Sequence, residues 1–191
     1  MANFAKPQHL LLAATVAVVL LLVAAADASQ RPVHLRLYMH DIIGGPGQTA
    51  IHLIRNVGPP HTSLKGAYFG DTVAIDDLVT EGPAADSRAV GRALGTYMLS
   101  SQREQVLVVA VTVVLADGPY NGSTFAVAGR VKIFDDTTEL AVVGGTGGLR
   151  RAAGHLLWRT AEVVSEVYMV LELVVDMSVP ATASTADPVE G

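Results

Sequence analysis

Apolar and polar residues alternate from His34 to His40. Leu35, Leu37 and Met39 fall on one side, and His34, Arg36, Tyr38 and His40 on the other. A period of two is that of a half-buried strand. One further step places Asp41 on the side of the leucines, and two readings of it stand open. A carboxylate buried on an apolar face has a raised pKa and can serve as a general acid or base. Alternatively the strand ends at His40, and Asp41 opens a turn into Gly44-Gly45-Pro46-Gly47.

The same pattern predicts further strands along the chain. Gln48 to Asn56 is the second, with Ile51, Leu53 and Arg55 on a common face, and Gly58-Pro59-Pro60 ends it. Thr72 to Asp76 is the third, followed by Asp77. Ala89 to Ser100 is the fourth, and Gly91 and Gly95 within it suggest bends where a sheet curls. Val106 to Leu115 is nearly all β-branched or apolar, the pattern of a strand covered on both faces. Inside a small barrel such a strand meets the core, so its outer face calls for another cover, such as a second subunit. Asp117 to Gly122 is a hairpin loop, Thr124 to Phe134 the return strand, and Asp135-Asp136 the next turn. Glu139 to Val143 follows, then Leu156 to Thr160, open between strand and helix. Val167 to Val175 closes the chain, with Leu171, Leu173 and Val175 on one face and Glu172 and Asp176 on the other. About eight strands on short, turn-rich links predict an all-β sandwich or barrel.

The chain divides into three parts. Residues 1–28 read as a signal peptide, with Lys6 before an apolar run from Leu10 to Ala26 and small residues at Ala24-Ala25-Ala26 and Ala26-Asp27-Ala28 for cleavage. An uncleaved membrane anchor is the other reading of that run. Residues 29–179 form the β domain, and 180–191 a polar, flexible tail. Asn121-Gly122-Ser123 is an N-glycosylation sequon on a loop tip, which makes Asn121 the expected attachment point outside the cell.

Composition narrows the chemistry. The chain has no cysteine, which excludes thiolate catalysis and zinc–thiolate sites and leaves burial and sheet closure to hold the fold. Lys+Arg 13 against Asp+Glu 18 argues against nucleic acid as a partner. The histidines show no metal-ligand spacing, and neither G-x-S-x-G nor H-E-x-x-H is present, so no metal and no hydrolase are expected. The glycine-rich stretch Val142 to Gly154 invites a dinucleotide reading, but Arg150 stands where the third glycine belongs and no βαβ unit surrounds it. A strand-to-strand corner is the better account, and no cofactor is expected.

Several motifs, in order, resemble the plant dirigent family. They are Tyr38-Met39-His40-Asp41-Ile42, Phe69-Gly70, Asp76-Asp77, Val90 to Gly95, Tyr120 to Thr124, Gly129-Arg130 and Val142 to Gly147. The resemblance implies an eight-stranded antiparallel β-barrel of the allene oxide cyclase type, secreted to the apoplast, glycosylated, and assembled as a homo-oligomer, a dimer or trimer. It implies a protein without an oxidising centre of its own. A laccase or peroxidase makes phenoxy radicals from monolignols such as coniferyl alcohol, and the protein directs their coupling to an optically active lignan. Relatives that protonate or dehydrate a quinone-methide-type intermediate imply a lyase or cyclase instead. A non-catalytic phenolic-binding protein of the cell wall or of defence is a third alternative. The resemblance gives Asp41 the catalytic role. It leaves Tyr97 and Arg150 as substrate-binding candidates, Arg150 at a basic position found in other subgroups. The sequence departs from the lignan-forming pattern at Gly148, where an aspartate is common, and at Ala153, where an arginine is.

Overall fold

The computed structural model describes residues 29–181 together with Leu12, Thr15, Val16, Val18 and Val19. The expected leader, 1–28, and tail, 180–191, therefore fall almost wholly outside the described residues. The rest is a single antiparallel sheet. Its strands are β1 (Gln30–Ile42), β2 (Ala50–Ile54), β3 (Thr72–Thr80), β4 (Ala89–Leu99), β5 (Val106–Leu115), β6 (Thr124–Lys132), β7 (Thr138–Thr146), β8 (Ala153–Ser165) and β9 (Tyr168–Pro180). Their order is β1-β9-β8-β7-β6-β5-β4-β3-β2, and β1 also pairs with β3. β1 and β2 lie along the same edge of β3, β1 against Leu78–Thr80 and β2 against Thr72–Ile75. They act as one stave interrupted by the Ile43–Thr49 loop, so nine strands make an eight-stave closed barrel, the expected architecture.

Closure is short. Only Tyr38↔Thr80, Met39↔Val79 and His40↔Leu78 join β1 to β3, whereas β1 and β9 pair along their full length from Gln30↔Pro180 to Ile42↔Tyr168. The inner faces follow the alternation in the sequence. Val33, Leu37 and Met39 of β1, Val73, Ile75 and Val79 of β3, Val109, Val111 and Val113 of β5, Phe125 and Val127 of β6, and Leu173 and Val175 of β9 are all buried in one cluster.

Two glycines in β4 allow the sheet to curl. A Cβ on Gly91 would stand 2.1 Å from the Val114 carbonyl oxygen, and one on Gly95 2.2 Å from that of Ala110. The backbones of β4 and β5 approach too closely there for any side chain. The late glycine stretch is indeed a corner. β7 runs through Thr146 into a short 3-10 turn, Gly147–Leu149, and the chain returns as β8. Ser123 receives the Gly148 N–H at 3.0 Å, and Arg31 donates to the Gly148 carbonyl at 3.4 Å and to the Tyr120 hydroxyl at 2.8 Å. The start of β1, the sequon loop and the glycine corner are thereby tied together.

Two expectations change in detail. The third strand continues past Asp76 to Thr80, because Asp77 and Val79 keep the inward alternation of Val73 and Ile75. Leu156 to Thr160 lies within a strand, since its residues pair with Leu171–Val175 of β9. The outer face of β5 is open in the single chain. Val108 is 45% exposed beside Met98 of β4 at 39%, and Leu94, further along β4, is also 39% exposed. β8 beyond Trp158 pairs only with β9 and carries two register shifts together with Arg159 and Glu162, features that discourage chance pairing at a free edge.

Replacement of Gly95 by alanine forces a methyl group onto the β5 backbone. It is expected to cost roughly 2–4 kcal/mol, read as a fall in the midpoint of chemical or thermal unfolding, whereas Ala128→Ser on the outer face of β6 is expected to change that midpoint little.

Candidate functional site

Asp41 lies on the inner face of β1. It is 7% exposed, between the inward Met39 and the end of the strand. The buried reading of this residue is therefore the observed one, and the turn begins two residues later. The β1–β3 register, carried one step past His40↔Leu78, sets Asp41 opposite Asp77. Asp77 is fully buried, and its β4 partner is Ala93, also fully buried. Two carboxylates thus face one another across the closing seam, inside the barrel.

Neither acid is compensated in the usual way. Asp41 Oδ1 and both carboxylate oxygens of Asp77 have no hydrogen-bond partner. Buried polar atoms in native proteins are nearly always paired, so three orphaned oxygens in one place call for an explanation. Burial pushes Asp41 from the ordinary 3.8 to about 6. It pushes Asp77 to about 7, aided by the negative field of Asp41. The Thr49 hydroxyl, short of hydrogen-bonding geometry, and the cation of Arg92 pull Asp77 the other way. Arg92 itself is engaged by Asp76 on the outer face. Both acids hold their protons to a higher pH than exposed aspartates do, Asp77 higher than Asp41.

Tyr97 belongs to the same group. It sits on the inner face of β4, opposite Val73 of β3 and Val109 of β5, half-buried against the core. Desolvation raises its pKa, and the fields of Asp41 and Asp77 add to the rise, so the phenol stays a hydrogen-bond donor. Arg150 is placed differently. It follows the 3-10 turn at the glycine corner and is exposed, with no polar contact to Asp41, Asp77 or Tyr97. Asn121 is exposed at the tip of the β5–β6 hairpin, where a sequon would have to be. Asp77 was missed as a site residue by reading the sequence, although the signal existed: the inward alternation Val73, Ile75, Asp77, Val79 singles it out once the strand is not stopped at Asp76.

An open cleft of about 810 Å³ lies on the outside, between the Ile133–Thr137 loop and Arg159–Glu162 of β8. Its one buried acid, Glu172, bonds to Arg159 and pairs with Arg36 at 3.4 Å, which holds it ionised and below its ordinary pKa. It lacks the uncompensated acids of the interior. Among the described residues no group of three or more His, Asp or Glu side chains could hold a metal ion.

Comparison with known proteins bears on the family and the fold. The Dirigent-like protein family profile matches residues 32–178. Dirigent protein 1 of Arabidopsis thaliana is 40% identical over 131 residues, 69% of this chain and 70% of that protein. Pterocarpan synthase 1 of Glycyrrhiza echinata is 40% identical over 123 residues, 64% of each chain. The chain thus spans about two thirds of the length of these relatives. Among solved structures, the pterocarpan synthase dirigent protein GePTS1 superposes with a TM-score of 0.70 at 32% identity, covering 79% of this chain and 89% of its own.

The raised pKa values fix a pH dependence of stability. Between pH 4 and 7 the unfolded chain has released protons that the folded chain still holds on Asp41 and Asp77, so stability is expected to fall as pH rises through that window. At about 1.4 kcal/mol per pKa unit, the loss is roughly 3 kcal/mol from Asp41 and roughly 4 kcal/mol from Asp77. Asp77→Asn should remove about half of the slope in denaturant melts taken between pH 4 and 8, leaving the part due to Asp41, and an unchanged slope would remove the buried pair as its cause.

Proposed function

The chain belongs to the dirigent-like protein family, and on that premise we propose that it guides an electrophilic, quinone-methide-type phenolic intermediate to one ring-closed product, with Asp41 and Asp77 as its acid and base. The observation that carries this reading is the trio of unpaired carboxylate oxygens inside the barrel. Hydroxyl groups of a phenolic guest would supply the missing donors. Inward valines, leucines and Tyr97 would hold its planar body.

The step balances without an oxidant. The protonated member of the pair gives its proton to the carbonyl oxygen of the quinone methide, which makes the exocyclic carbon more electrophilic. A hydroxyl of the same molecule attacks that carbon, one C–O bond forms, and its proton passes to the ionised member. The ring regains aromaticity, and the pair is left with its proton exchanged between the two sites. Acid and base must differ in protonation, and two acids titrating at about 6 and about 7 meet that need near neutrality. Two similar proteins carry the name pterocarpan synthase, which supports extending a synthase reaction to this chain.

A second reading is favoured by the placement of Tyr97 on an apolar inner wall. Phenoxy radicals made by a laccase or peroxidase couple with little barrier, so orientation alone would set handedness and give an optically active lignan. We also propose that the chain is secreted to the apoplast, glycosylated on the exposed Asn121, and assembled as a homo-oligomer. The exposed Leu94, Met98 and Val108 on neighbouring strands support the last of these.

Two incubations separate the readings. Turnover of a quinone-methide-forming phenol without oxidant, to a single enantiomer by chiral chromatography, is expected under the first. Its rate should follow a bell-shaped pH profile with limbs near 6 and 7. Asp41→Asn should lower kcat by about 10²–10⁴-fold. Coniferyl alcohol with a one-electron oxidant giving optically active product, unaffected by Asp41→Asn, would transfer the assignment to radical steering.

A further inference from the structure

His40 occupies a position that the proposed chemistry leaves unused. It lies on the outer face of β1, one residue before Asp41 and within the three-pair seam that closes the barrel. An outward histidine on a strand is normally wet. This one is 2% exposed, and both ring nitrogens are engaged. Nδ1 lies 2.7 Å from the Tyr168 hydroxyl of β9, and Nε2 lies 2.7 Å from Thr80 Oγ1 of β3. The Thr80 hydroxyl sits 2.7 Å from the Gly82 carbonyl in the loop beyond β3.

The directions of these bonds follow from donor counting. The Gly82 carbonyl can only accept, so Thr80 spends its single proton there. Thr80 must then accept from His40, which requires a proton on Nε2. Burial lowers the pKa of His40 and favours the neutral ring, which carries one N–H. Nδ1 is therefore the acceptor, and Tyr168 donates to it. Burial keeps Tyr168 protonated and able to do so. The result is a one-way chain, Tyr168 to His40 to Thr80 to Gly82, across β9, β1, β3 and the following loop. It crosses the seam directly behind the Asp41–Asp77 pair.

We propose that His40 is a positioning residue whose Nε2–H tautomer, fixed between Tyr168 and Thr80, holds the β1–β3 seam in the register that keeps Asp41 facing Asp77 away from water. The inference deepens the acid–base reading above and rests on it only for its functional meaning. The geometric content is separate: outside the barrel the network locks two strands, and inside the same two strands carry the carboxylates. Three pairs of residues are a small closure for a barrel. If the lock opens, water reaches the pair from the seam, and the desolvation that raises both pKa values is relieved.

The test reads the carboxyls directly and needs no substrate. Carbon-13 NMR of labelled aspartate is to follow the titration of Asp41 and Asp77 in the wild-type chain and in Tyr168→Phe, which keeps the ring but removes the donor to Nδ1. His40→Leu and His40→Gln complete the series. Downward shifts of about one unit are expected in Tyr168→Phe and His40→Leu. Gln offers both a donor group and an acceptor, as the neutral imidazole does, and is expected to restore the titration more fully than Leu. Nitrogen-15 spectra of the wild type should show a protonated Nε2 and a bare Nδ1 at pH 7. A protonated Nδ1, or unmoved carboxyl titrations in folded Tyr168→Phe, would overturn the proposal even where His40→Leu fails to fold. Loss of the lock with an inactive wild-type protein would instead count against the catalytic reading and leave the positioning role intact.

Discussion

Closure of the sheet on itself is the constraint on which everything else in this molecule depends. Without disulfides, the chain holds its shape by burying one face of every strand, and that burial is complete only when β1 meets β3. The long β1–β9 pairing supplies most of the attachment of the first stave, and the three-pair seam supplies the enclosure. Gly91 and Gly95 let β4 approach β5 closely enough for the curl that brings the edges together. The interruption between β1 and β2 is part of the same solution. β1 alone runs out at Ile42, and β2 resumes along β3 after a glycine-rich excursion.

Enclosure also sets how tightly the interior acids hold their protons. Asp41 and Asp77 would be ordinary surface acids if the seam stood open. Inside the barrel they lack water and counter-charge, and both shift toward neutrality. The contrast with Glu172 is instructive. That carboxylate is also buried, yet Arg159, Arg36 and Tyr38 satisfy it on the outer face and keep it ionised. One barrel thus carries two kinds of buried acid. The paired one ties β8, β9 and β1 together outside, and the unpaired ones are left available inside. The unpaired acids cost folding energy, which the apolar interior offsets.

The glycine corner bears on how the chain relates to its family. Where the lignan-forming pattern commonly has an aspartate, Gly148 donates its N–H to Ser123 Oγ and its carbonyl accepts from Arg31, so position 148 is stitched by backbone groups and brings no acid. Arg150 is exposed beyond it. The acids available for chemistry are then those of β1 and β3, consistent with a reaction that uses one carboxyl pair rather than an acid supplied by the corner.

Periodicity by itself located most of the strands, gave the all-β class and offered an inward Asp41 as one of two readings, because a strand's alternation is local and survives without knowledge of its neighbours; the barrel came from the family resemblance. The family motifs were legible for the same reason: they are short runs of sequence. The position of Asp77 was partly legible, hidden only by ending β3 at Asp76 instead of Thr80. Tertiary structure alone decided the rest. No local pattern says that Asp41 would stand across from Asp77, since they meet through a register between strands far apart in sequence. Nor does any pattern say that a polar His40 on the outward side of β1 would be dry, because its burial comes from Tyr168 and Thr80 on two other strands. Charge state follows the same division: the sequence names the acid, and only the surrounding atoms set how tightly it holds its proton.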